Sequence, residues 1–72
     1  MSTSVRVYIN SRALDLPRGA TVGDAIRAWD PSQVDAVSRG ERAVTDSRGL
    51  PASLNDVVAQ GSILRVVGSR AS

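Results

Sequence analysis

Apolar and polar residues alternate strictly over Ser4–Ile9, with Val5, Val7 and Ile9 on one side and Arg6 and Tyr8 on the other. That is the period of a half-buried strand. The turn formers Asn10-Ser11-Arg12 follow, and alternation resumes over residues 13–16 with Leu14 and Leu16 inward until Pro17 closes it. The two segments are predicted to pair as a hairpin. The spacing then changes. Thr21 and Asp24 stand three apart, as in a capping box, and Val22, Ala25, Ile26 and Trp29 fall on one helical face. A short helix is predicted, ended by Asp30-Pro31 because proline disfavours helical geometry in the residue before it. Trp29, the single tryptophan, is assigned to the core. Gly23 is the weak point, since glycine costs about 1 kcal/mol in a helix interior and less in the first turn.

Beyond the helix, residues 34–38 are read as a strand joined by an Arg39-Gly40 turn to a second strand over 41–45. Residues 46–53 are rich in turn formers and should cross the surface with Leu50 pointing inward, and residues 54–58 should form a single helical turn. The final run, 63–67, is rich in β-branched residues and bounded by Gly61 and Gly68, so it is predicted as the last strand. One helix can cover only one sheet face. The order therefore implies a two-layer α+β domain, with the apolar first and last strands side by side at its centre.

Composition narrows the chemistry. With 72 residues there is room for one domain and no second catalytic module. Cysteine and histidine are both absent, which removes disulfides, thiolate nucleophiles, imidazole bases and the usual zinc ligands. All nine cations are arginine and the net charge is only +2, dispersed along the chain, so nucleic-acid binding is not expected. Without lysine there is no Schiff-base residue, and the serines lack an evident activating base. The acidic residues do not follow a calcium-loop spacing, and the glycines form no phosphate-binding pattern. No metal, no cofactor and no enzymatic activity are expected. No apolar run is long enough to span a bilayer and no charged-then-apolar leader opens the chain, so a soluble, cytoplasmic monomer is expected.

The segments Val5-Arg6-Val7-Tyr8-Ile9-Asn10, Gly19-Ala20-Thr21-Val22, Arg39-Gly40-Glu41 and Gly61-Ser62-Ile63-Leu64, taken in this order and spacing, resemble the ubiquitin-like β-grasp sulfur carriers of the ThiS/MoaD kind. The resemblance spans essentially the whole chain and implies one mixed sheet of four to five strands on a single helix. It also implies a function. In that family a partner enzyme adenylates the C-terminal carboxylate with ATP, sulfur replaces AMP, and the carrier itself catalyses nothing. The implied partner is an adenylyltransferase or another cofactor-biosynthesis enzyme. The family ends in Gly-Gly, which lets the backbone enter a narrow channel. Here those positions are Ala71 and Ser72. Three readings follow: a relative that kept fold and docking face without sulfur transfer, which is favoured; an adapted activating enzyme; or a precursor cut after Gly68.

Two groups of residues are the candidates for function. One is the tail Gly68, Ser69, Arg70, Ala71 and Ser72, read as a flexible stalk on a single domain spanning 1–72. The other lies on the sheet. Alternation alone lets Leu64 and Val66 take either face. If they point inward, Arg6 and Tyr8 share the outer face with Ile63, Arg65 and Val67, a mixed aromatic, arginine and apolar patch suited to a protein partner. A one-helix sheet always leaves a face to solvent, however, and scattered apolar residues there are ordinary. The rival functions are an RNA-binding module of the same fold and a structural or regulatory subunit with an inert tail.

Overall fold

The computed structural model describes residues 4–68, which form strands β1 (Ser4–Ile9) and β2 (Arg12–Pro17), helices α1 (Val22–Trp29) and α2 (Pro31–Ser38), and strands β3 (Arg42–Asp46) and β4 (Ser62–Gly68). The sheet order is β2-β1-β4-β3, so the first and last strands are central. They pair in parallel over only three positions, Val7 with Ser62, Tyr8 with Ile63 and Ile9 with Leu64. The flanking pairs, β1 with β2 and β3 with β4, are antiparallel. In the first hairpin Asn10 and Ser11 both have positive φ, 49° and 72°, between the paired residues Ile9 and Arg12. This two-residue turn matches the right-handed twist of its strands, and asparagine tolerates the left-handed region well.

Helix α1 begins as its sequence indicates. The Thr21 hydroxyl accepts the Asp24 N–H at 3.2 Å and the Asp24 carboxylate accepts the Thr21 N–H at 3.0 Å. The next two free helical donors are also used, because Val22 and Gly23 donate to the carbonyls of Asp56 and Leu54 at 2.8 and 2.9 Å. Gly23 eases that approach: a Cβ there would sit 3.2 Å from the Leu54 carbonyl oxygen, tight enough that the loop would have to give by a few tenths of an ångström. Val22, Ala25 and Ile26 are buried, and Trp29 packs at the margin of the core. Ile26 meets Val7 and Ile9 in a core completed by Val5, Leu16, Val44, Leu64 and Val66 from the sheet and by Ala20 and Val58 from loops. Each such aliphatic side chain contributes about 1.5–3 kcal/mol when fully buried.

The second hairpin expected over 34–38 and 41–45 is not formed. Residues 31–38 are a second helix, so the sheet has four strands and is covered by two helices rather than one. The same residues act here as helix signals. Asp30 does end α1, but its Oδ1 accepts the Ser32 N–H at 3.1 Å and so caps α2, with Pro31 in the first turn where its missing N–H costs nothing. Val34 and Val37, three apart, pack on the core together with the buried Ala36. Arg39-Gly40 closes the helix instead of turning a hairpin: Gly40 (φ 80°) donates to Val37 and Glu41 donates to Ala36, the paired bonds of a Schellman cap.

Two loop expectations also change. Leu50 is 52 % exposed rather than inward. Its loop is held by main-chain bonds, since the Asp46 carboxylate accepts the N–H groups of Arg48 and Leu50 at 2.9 and 3.0 Å and Ala52 donates to the Val44 carbonyl at 2.8 Å. Residues 54–58 provide a single turn, closed by Asp56 N–H to the Ser53 carbonyl, which does not continue as helix. Bridging of Val57 to Thr21 pulls the chain out straight.

Candidate functional site

Leu64 and Val66 point into the core, which resolves the alternation of β4 and sends Ile63, Arg65 and Val67 outward. Cross-strand register then assembles the outer face. Tyr8 stands between Ile63 on β4 and Ala13 on β2, while Thr45 and Ala43 of β3 lie opposite Arg65 and Val67. Directly opposed residues of adjacent strands are close enough for their side chains to touch. Ile63 is 49 % and Val67 39 % exposed, and Tyr8 is half-buried. A shallow groove of about 630 Å³ runs along these residues, lined by Tyr8, Ile63, Leu64, Arg65 and Val67 and bounded at one end by Asn10 and Ser11 of the hairpin turn.

The two arginines of this face differ in their surroundings. Arg6 is tied to Asp15 on the neighbouring strand, Nε to Oδ1 at 3.0 Å, with a second contact from the guanidinium to Oδ2 at 3.3 Å. The hydrogen bond, and then the charge, hold the Asp15 carboxyl below its usual range and raise Arg6. Arg65 makes no ion pair among the described residues. The face therefore offers an aromatic ring and two aliphatic side chains around a guanidinium without an ion pair among the described residues, with the Arg6–Asp15 pair beside them. Such a surface can bind. Among the described residues no group of three metal-ligating side chains gathers, and no charged or polar residue is buried. Arg39 and Arg48 are paired with Glu41 and Asp46 at exposed positions. No helix among the described residues is long and apolar enough to cross a membrane.

The central ladder carries two side-chain rungs that sequence reasoning missed. At one end the Gln60 side-chain oxygen accepts the Arg6 N–H at 2.9 Å. At the other, Asn10 Oδ1 accepts the Val66 N–H at 3.1 Å while Nδ2 donates to the Val66 carbonyl at 3.4 Å. Asn10 was legible only as a turn former, and nothing local announces a partner 56 residues away. Of the proposed tail, Gly68 is the last residue of β4, opposite Arg42. Ser69, Arg70, Ala71 and Ser72 lie outside the described residues.

No protein-family model and no curated protein matches the chain. Among solved structures, the crystal structure of SAMP1 from Haloferax volcanii is similar, with a TM-score of 0.60 and 22 % sequence identity over 96 % of this chain and 98 % of that one. At that identity the likeness shows the fold, which is the ubiquitin-like β-grasp.

Proposed function

We propose that this small ubiquitin-like protein is a non-enzymatic docking module, which presents the outer face of β1 and β4 and the segment following Gly68 to a larger, adenylate-forming enzyme. One observation carries the reading: Tyr8, Ile63, Val67 and Arg65, which makes no ion pair among the described residues, share a single outer face of the central strands. Aromatic and arginine side chains around an apolar centre are the composition of interface hot spots, and β4, which bears Ile63, Arg65 and Val67, is the strand that precedes the tail in sequence. A partner that grips the face is thereby brought to the end of β4.

Docking without sulfur transfer is the favoured form, because Ala71 and Ser72 stand where the ThiS/MoaD carriers have Gly-Gly; sulfur carriage is the alternative that the resemblance to those carriers supplies. The terminal carboxylate of the mature chain would attack ATP, releasing pyrophosphate, and sulfide would displace AMP to leave a thiocarboxylate. Incubation with the activating enzyme of the same genome, ATP and sulfide, followed by intact mass measurement, tests it. A gain of about 16 Da, oxygen replaced by sulfur at the acyl carbon, is expected for carriage. Binding without a mass change leaves docking alone, and absence of both overturns the proposal.

A further inference from the structure

We infer that Asn10 is a positioning residue: its side-chain amide continues the pairing of β1 with β4 where the main chain turns away, and so sets the course of β4 beyond Leu64. The Asn10 N–H donates to the Leu64 carbonyl at 3.1 Å. In a parallel ladder the next rung would take the Val66 N–H to the Asn10 carbonyl. With φ at 49° Asn10 has entered the hairpin turn, and its side-chain oxygen receives that N–H instead. The amide nitrogen returns a bond to the Val66 carbonyl, so both main-chain groups of one buried residue are held by one side chain.

The opposite side of β4 offers Val66 no substitute. Its antiparallel partner is Val44, whose carbonyl accepts from Ala52, away from β4. In an antiparallel pair the main-chain groups of opposed residues either all face one another or all face away. Val44 and Val66 are therefore back to back, and Val66 depends on Asn10. Arg65 and Val67, the neighbours of Val66, are exposed and line the groove, and Asn10 itself lines it. One residue thus makes the turn, completes the central ladder and aims the binding strand. Its identity is constrained on each count, because few side chains tolerate positive φ and offer both an acceptor and a donor at that reach.

Asn10→Gly keeps the turn and removes the rung, and Asn10→Asp keeps the turn and the acceptor but not the donor. Amide exchange in the full-length protein is the primary measurement, because it needs no partner. In Asn10→Gly the Val66 amide should exchange about tenfold faster while the β1–β2 ladder is unchanged, with resonances of Arg65, Val67 and Gly68 shifting. In Asn10→Asp the Val66 amide should remain protected, and the Arg65 to Gly68 shifts should still move. A Val66 amide as protected in Asn10→Gly as in the wild type, or a change confined to Ile9 and Arg12, overturns the inference. The consequence for docking rests on the function proposed above: affinity for the activating enzyme should fall about tenfold in Asn10→Gly. Unchanged affinity with a deprotected Val66 refutes aiming of the binding strand. If the wild type itself does not bind, the docking proposal fails and the exchange result still stands.

Discussion

In the docking proposed above Arg65 should matter most, because among the described residues its guanidinium makes no ion pair, whereas Arg6 is already tied to Asp15. Arg65→Glu should therefore weaken binding to the activating enzyme about tenfold or more, and Arg6→Ala should have a smaller effect, both measured by titration calorimetry. Stability of either variant should stay within about 0.5 kcal/mol of wild type, as for exposed positions generally. Asp46 makes the complementary case, of a charge kept for structure. Bonding to the Leu50 N–H, opposed in part by desolvation and reinforced by Arg48, holds its carboxyl below the ordinary value of 3.8. A carboxyl lowered in the folded state contributes stability that is fully present above its unfolded value and is lost as pH falls through the folded one. Thermal unfolding of Asp46→Asn from pH 6 to pH 2 should accordingly show lower stability at the neutral end and convergence with wild type at the acid end. Parallel curves would remove the charge from the account. At this scale the alternation of Ser4–Ile9 is enough to place Arg6 and Tyr8 outward; the Arg6–Asp15 bond follows only once the register of the first hairpin is fixed, and the bond of Asn10 to Val66 only once β4, 56 residues on, lies beside β1.

Helix α2 shows where local signals mislead. Asp-Pro stops one helix and starts another with the same two residues, and Arg-Gly serves a helix end as readily as a hairpin. The decision is made by packing, because Val34 and Val37 reach the core only at helical spacing. Asp30→Ala should cost about 1 kcal/mol through loss of the cap, with a reduced helical circular dichroism signal. A variant as stable as wild type would mean that α2 is held by burial of Val34, Ala36 and Val37 alone. By contrast, the Thr21–Asp24 box and the strand formed by Ser4–Ile9 were legible outright, each being a pattern completed within a few residues.

At the scale of the whole molecule, the described residues form a four-stranded sheet with both helices on one face and the opposite face exposed. Its central strands were legible from their apolar content and the ubiquitin-like β-grasp from the order of short motifs, although α2 was not. No pattern in the chain specifies which face a partner uses, because an open sheet face and a docking face carry the same alternation. Resolving the two requires a titration of isotopically labelled protein with the activating enzyme, followed by amide resonance perturbation. Docking as proposed should perturb residues 6, 8, 63, 65 and 67 and leave the exposed faces of α1 and α2 unchanged. Perturbations confined to the helices, with the sheet face silent, would contradict it.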